Sequence, residues 1–243
     1  MSKIFGFLVS IIFYLVGVGG LFALILWSGG LLPTIPFDTP ATMGVLPAVL
    51  KNITLVGLFG LQHTIMARQG FKKSWTKIIP AHLERSIYVL VSGLLCFLII
   101  WQWAKIDGAL WSLAAGSTGF YVMRGIYFFG ILFLLSSSFL INHFELFGLQ
   151  QGYFNMVGKK ASPPTFKEIF YYKIVRHPIY LGFILILWAT PHMSFSHLTL
   201  ALFMTIYILI GSSYEEKDLG NEYGETYTNY KERVPGLIPF SKL

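Results

Sequence analysis

Arg176-His177-Pro178-Ile179-Tyr180-Leu181-Gly182 opens the stretch on which the reading of this chain turns. After a long apolar passage the stretch closes with Glu215-Glu216-Lys217-Asp218-Leu219, Tyr223-Gly224, Tyr227, Tyr230, Val234-Pro235 and Ile238-Pro239. As one straight helix, the roughly 35 residues of 179–213 would reach about 52 Å, too long for a bilayer core of about 30 Å. Thr190-Pro191-His192 supplies a break, because proline removes a backbone donor and clashes with the preceding turn. Two readings are open: a hairpin of two helices, the first short of a full span, or one long kinked helix. The hairpin is preferred. It returns both polar ends to one membrane face, where they can build one pocket.

The rest of the chain is equally apolar. Its 243 residues are 55% hydrophobic and 12% charged, with a mean hydropathy of +0.65. Soluble domains carry about twice that share of charge. Residues 4–27, 44–67, 86–103 and 121–141 are each apolar over a length that crosses a bilayer, which takes about 20 residues. Lys3 is a thin basic flank and no small-x-small cleavage site follows, so the first segment reads as a retained helix rather than a signal peptide. The tail from Leu219 to Tyr230 reads as a further helix, ended by Pro235 and Pro239. The predicted fold class is all-α: a polytopic integral membrane helix bundle of four spans, a C-terminal helical hairpin and a cytoplasmic C-terminal helix. Residues 1–243 read as one domain, with the four spans in 1–141.

The net charge of +7 matters less than its placement. Loop 68–85 carries Arg68, Lys72, Lys73, Lys77 and Arg85 against Glu84. Loop 142–178 carries Lys159, Lys160, Lys167, Lys173 and Arg176 against Glu145 and Glu168, with a structural break at Pro163-Pro164. Loop 104–120 balances Lys105 with Asp107. Basic loops stay on the cytoplasmic side. The N-terminus, both basic loops and the tail are therefore expected inside, and loops 28–43, 104–120 and the tip near Pro191 outside. The basic excess is membrane topology, not a nucleic-acid surface. Cys96, the single cysteine, lies in an apolar segment and reads as a small core residue.

Several residues are candidates for chemistry. Glu215 and Glu216 directly follow an apolar helix, where an unpaired charge is expensive. They mark either a ligand site or a helix end at the membrane interface. Arg176-His177-Pro178 reads as a helix start, since proline is favoured in the first turn. An arginine beside a helix N-terminus suits an anion, although Arg176 also fits as one more inside-facing cation. Tyr180, Tyr227 and Tyr230 are ligand contacts or interfacial aromatics. Gly182 opens space beside a pocket or lets two helices approach. No HxxxH, HExxH or cysteine pair occurs, so no metal site is expected. No GxGxxG follows a strand, so a soluble Rossmann-type domain is not expected.

RHPxYxG, an apolar hairpin and EExxLxxxYGxxYxxYxxxVPxxIP, in this order, resemble the C-terminal half of the isoprenylcysteine carboxyl methyltransferase-like membrane methyltransferases. The resemblance implies that 142–243 is the cofactor-binding half. There S-adenosyl-L-methionine would be surrounded by Arg176, His177, Pro178, Tyr180, Gly182, Glu215, Glu216, Tyr227 and Tyr230. Leu61-Gln62-His63-Thr64-Ile65-Met66-Ala67-Arg68, Glu84-Arg85-Ser86 and Phe139-Leu140-Ile141-Asn142-His143-Phe144-Glu145-Leu146-Phe147-Gly148-Leu149 extend it. With these the chain is similar, over most of its length, to the methanethiol S-methyltransferases. That likeness implies methylation of a small thiol, methanethiol, to dimethyl sulfide in a bacterial inner membrane, at a site facing the cytoplasm. His63, His143 and Glu145 are then candidates to take the thiol proton, although an intramembrane histidine such as His63 is as often a helix–helix hydrogen bond. Two alternatives stand. One is a same-fold enzyme acting on a lipid or prenylcysteine carboxylate. No Arg or Lys lies between Pro178 and Glu216 to meet such a carboxylate. The other is a non-enzymatic protein of the NnrU type, a transporter or assembly factor. Charges lining a route would favour it, and the charges here gather at one face.

Overall fold

A computed structural model describes residues 2–160 and 165–241. The predicted break at Pro163-Pro164 lies outside them. In chain order the helices are α1 (Lys3–Ser28), α2 (Val45–Ala67), α3 (Gln69–Trp75), α4 (Glu84–Gln102), α5 (Thr118–Ile141), α6 (His143–Leu146), α7 (Leu149–Val157), α8 (Pro178–Trp188), α9 (Phe195–Tyr223) and α10 (Glu225–Arg233). Two short strands, β1 (Ala109–Ser112) and β2 (His192–Ser194), and two 3-10 turns, Ala81–Leu83 and Phe170–Lys173, complete the elements among the described residues. Helices α1, α2, α5 and α9, and α4 with the turn before it, are long and apolar enough to cross a membrane. The chain is an all-α, multi-pass integral membrane protein. It divides into two compact units, Met1–Ile106 with Asn142–Pro163, and Asp107–Ile141 with Pro164–Leu243.

The first unit rests on small residues between helices. Gly17 lies against Val89, and Gly20 against Gly93, so α1 and α4 run parallel. A Cβ on Gly20 would stand 2.3 Å from the Gly93 carbonyl oxygen, so these backbones touch with no room for a side chain. Without water to expel between helices, such close packing supplies much of the association. Helix α2 runs antiparallel to α4. At one end Asn52, fully buried, exchanges two 2.9 Å hydrogen bonds with the Ala104 backbone. At the other, His63 meets Ser92. Gly152 of α7 packs on Ser10 of α1.

The second unit decides between the two readings of 179–213. Helix α8 has 11 residues, about 16 Å at 1.5 Å each, too short to cross. Chain direction then reverses. Strand β2 pairs antiparallel with β1, with an irregularity between Ala109 and Trp111, and the Trp111 indole donates to the Thr190 carbonyl at 3.0 Å. Ser194 caps α9 by accepting from the His197 amide at 3.0 Å. Trp188 at the end of α8 donates to Thr205 in α9 at 2.9 Å. The passage is a hairpin whose first arm is short. Against α5, α8 approaches through Gly182, where a Cβ would meet Leu134 at 2.8 Å.

The tail differs from the expected single helix over 219–230. Helix α9 continues through Glu215 and Glu216 to Tyr223, and a separate α10 starts at Glu225. Gly224 sits between them at φ +55°, a backbone that glycine adopts without steric cost. The break turns Tyr227 and Tyr230 inward, where both are buried and pack with Val234.

Candidate functional site

The hairpin brings the two halves of the split motif together in the second unit. Arg176 donates through Nε at 2.8 Å and Nη2 at 2.6 Å to Oε1 of Glu216. His177 Nε2 lies 3.1 Å from the same oxygen. Lys231 Nζ, from α10, reaches Glu216 Oε2 at 2.7 Å. Glu216 is thus the shared acceptor of three basic side chains and is largely buried. Nη1 of Arg176 donates to the carbonyls of Lys231 and Val234. The backbone amides of Arg176 and His177 donate to Pro235 and Gly236, at 2.8 and 3.1 Å. The VPG segment after α10 is therefore stitched to the start of α8. This accounts for the pairing of RHP with a distant VP in the sequence.

Glu215 behaves differently. Its Oε2 accepts from the Tyr180 hydroxyl at 2.7 Å and lies 3.6 Å from His177 Nδ1. Its side chain remains 44% exposed against 13% for Glu216. The His177 ring stacks on Tyr180, with centroids 5.3 Å apart and planes 22° from parallel. The two stacked rings and the open carboxylate thus lie side by side. Pro178 occupies the first turn of α8. Gly182 faces Leu134 in the α5–α8 contact, where its lack of a side chain lets the two helices approach.

The two tail tyrosines also divide. Tyr230 donates to the Tyr172 carbonyl at 2.6 Å. The Tyr227 hydroxyl is buried with no hydrogen-bond partner. Burial, then the nearby Glu216 charge, raises its pKa well above the usual phenol value, so it is a neutral donor. A buried polar group left unpaired costs about 1–3 kcal/mol, which suits a hydroxyl waiting for a ligand. Zwitterionic adenosine-type donors offer ribose hydroxyls, an ammonium and a carboxylate. A carboxylate such as Glu215 can accept from hydroxyls or an ammonium, and a neutral phenol such as Tyr227 can donate to a carboxylate. Four of the five N–H donors of Arg176 go to Glu216 and to backbone carbonyls, so the guanidinium frames the site.

The candidates for proton transfer lie in the first unit, in two settings. His63 stacks on Phe59 at 5.2 Å, and its ring lies tilted against Tyr88 at 4.8 Å. Its Nδ1 is 3.1 Å from the Ser92 hydroxyl, which also reaches the Tyr88 carbonyl at 2.9 Å. If that hydroxyl donates to Tyr88, Nδ1 of His63 carries the proton and Nε2 is the basic nitrogen. His143 is buried, with Nε2 at 2.8 Å from the Tyr14 hydroxyl and its ring at 4.7 Å from Phe147. Burial lowers its pKa. Glu145 accepts from the Asn142 amide at 2.9 Å. Asn142, at φ +110°, also caps α6 by accepting from the Glu145 amide nitrogen. No group of three His, Cys, Asp or Glu side chains among the described residues is placed to hold a metal ion.

Sequence reasoning missed Lys231, Tyr172, Tyr14 and Ser92. Lys231 had a signal, lying between Tyr230 and Val234 of the motif. Tyr14 and Ser92 sit in apolar runs where nothing marks a single hydroxyl as a partner.

Comparison with known proteins gives a consistent family. The family described as NnrU protein matches residues 53–217, more than half of the chain. Methanethiol S-methyltransferase 1 of Bradyrhizobium diazoefficiens is 41% identical over 240 residues, 99% of this chain and 84% of that protein. Methanethiol S-methyltransferase of Mycobacterium tuberculosis is 41% identical over 193 residues, 79% of each. Nurim of Mus musculus is 26% identical over 182 residues, 72% of this chain and 69% of that protein. No solved structure matches the chain. On these grounds the chain belongs to the NnrU family, together with the methanethiol S-methyltransferases.

Proposed function

We propose that this protein methylates methanethiol to dimethyl sulfide, with S-adenosyl-L-methionine as methyl donor. The observation that carries the reading is the 41% identity to a methanethiol S-methyltransferase over 99% of the chain. The Glu215–Tyr180–His177 group supports the choice of donor, because it offers an open carboxylate beside stacked rings. The residues of 142–243 hold the donor, and residues 1–243 act as one methyltransferase domain.

S-adenosyl-L-methionine, when bound, supplies an electrophilic methyl group on a sulfonium. The chain's residues then have three tasks. Glu215 takes ribose hydroxyls or the ammonium, Tyr227 donates its unpaired hydroxyl, and Glu216 keeps Arg176, His177 and α10 in place. The acceptor thiol must lose its proton. A free cysteine-like thiol has a pKa near 8.5, so a histidine nitrogen, on His63 first and His143 second, accepts it. S-adenosyl-L-methionine held there would supply the methyl carbon to the thiolate sulfur, and its sulfonium sulfur would keep the electron pair of the broken bond and leave as a neutral thioether. Opposite charges meet and vanish in this step, so a site that excludes water and fixes the in-line geometry favours it. A small apolar thiol partitions into the bilayer, which gives a reason for a membrane enzyme. The charge pattern supports a site on the cytoplasmic face of a bacterial inner membrane.

The test is headspace chromatography of cells carrying this chain and given methanethiol. Dimethyl sulfide above the level of a Glu215→Gln control is the expected result. Equal levels in both, with expression matched, defeat the proposal.

A further inference from the structure

The first unit gathers positive charge at one end. Helices α1 and α4 run parallel through the Gly17–Val89 and Gly20–Gly93 contacts, and α2 runs antiparallel to α4. The start of α1, the end of α2 and the start of α4 therefore share a face. Lys3, Arg68, Lys72, Lys73 and Lys77 lie there. Lys3 Nζ approaches Gly158, which places Lys159 and Lys160 at the same end. The acidic residues of this unit on that side are Glu84 and Glu145, and no acidic residue occurs between Asp38 and Glu84.

Helix α3 is the centre of this face. It follows α2 after one residue, and the chain must return to the same surface to begin α4. The segment of about 16 residues between α2 and α4 is anchored at both ends on this face, and the contacts of α3 hold it close to the unit. Phe71 of α3 packs on the cluster of Met66 and Tyr88, and its ring stacks on Trp75 at 5.7 Å, fixing the helix against the unit. Lys73 and Lys77 are exposed. Ile78 is 78% exposed, an apolar side chain beside two cations. That is the composition of an interfacial segment, with carbon toward the acyl boundary and ammonium groups among headgroups.

We infer that α3 and the turn to Ile78 form a docking surface for anionic phospholipids, with Lys72, Lys73 and Lys77 meeting headgroup phosphates and Ile78 inserting beneath them. A cation beside an anionic bilayer is worth about 1 kcal/mol, or about fivefold per charge. The preference requires more than one lysine and fades with salt as the Debye length shortens.

The full chain is reconstituted in mixed phosphatidylcholine and phosphatidylglycerol vesicles, one lipid at a time carrying brominated acyl chains. Quenching of Trp75 is read as the difference between the chain and its Trp75→Phe variant. Brominated phosphatidylglycerol should quench Trp75 more than brominated phosphatidylcholine. High salt, or the Lys72→Gln, Lys73→Gln, Lys77→Gln variant, should equalise the two. Equal quenching in the unaltered chain overturns the inference, and so does a preference that survives the triple substitution. Native mass spectrometry of co-purified lipid gives a second measurement that needs no tryptophan variant. Enrichment of phosphatidylglycerol on the unaltered chain, lost in the triple variant, supports the inference, and equal lipid ratios refute it. Neither readout depends on methyl transfer.

Discussion

Arg176 places Nε and Nη2 on a single oxygen of Glu216, at 2.8 and 2.6 Å. This leaves the second oxygen to Lys231. The two neighbouring glutamates of the motif therefore have different tasks. Glu216 closes an internal ion network, and Glu215 turns an open carboxylate outward.

Glu216→Ala should destabilise the protein strongly. It strands Arg176 and His177, both largely buried, without their acceptor, and breaking a buried pair costs about 3–5 kcal/mol. Glu215→Gln should leave the thermal midpoint in detergent nearly unchanged while S-adenosylmethionine binding is lost. Calorimetry on matched folded protein checks both. Equal loss of stability in the two variants contradicts the division.

Tyr227→Phe should be neutral or slightly stabilising, because it removes a buried hydroxyl that has no partner. Donor affinity should fall about two- to tenfold, the worth of one hydrogen bond. Tyr230→Phe should show the opposite pattern, losing about 1 kcal/mol through its bond to the Tyr172 carbonyl with affinity retained. Unfolding and binding curves on the pair decide it, and a Tyr227→Phe protein with full affinity removes Tyr227 from the site.

His63→Ala should cut turnover by about 10²–10⁴-fold if His63 takes the thiol proton. The loss should shrink as pH rises, since more thiolate then forms unaided, and donor affinity should stay near normal. A pH–rate profile normalised to folded protein reads this. An unshifted profile with a near-normal rate assigns His63 to packing against Ser92 and Tyr88.

His143 predicts a stability change with pH. Burial lowers its folded pKa below the usual value near 6.5, so the fold favours the neutral ring. Its contribution is complete above the unfolded pKa and is lost as pH falls through the folded value. Thermal midpoints should therefore drop on acidification below about pH 6.5, and the drop should be smaller in His143→Gln. Parallel curves for the two proteins would place the acid sensitivity elsewhere.

Single-cysteine labelling in a Cys96→Ser background should find position 160 on the cytoplasmic side and position 192 outside. The expectation rests on the hairpin of α8 and α9 and on the positive charge of the basic loops. Outside labelling at position 160 reverses the orientation.

The sequence by itself determined the spans, the break at Pro191 and the two motifs that had to meet. Those follow from hydrocarbon length and proline chemistry, which are local. It also led to expecting one tail helix where the chain makes two, since both flanks of Gly224 can be helical and only packing of Tyr227 and Tyr230 selects the bend. Glu215 and Glu216 were indistinguishable as letters. Successive helix positions point about 100° apart, and only the placement of Arg176, His177 and Lys231 decided which carboxylate was enclosed and which stayed open. Tyr14 and Ser92 became partners of His143 and His63 for the same reason. A hydroxyl in an apolar helix gains meaning only from what the neighbouring helix sets against it.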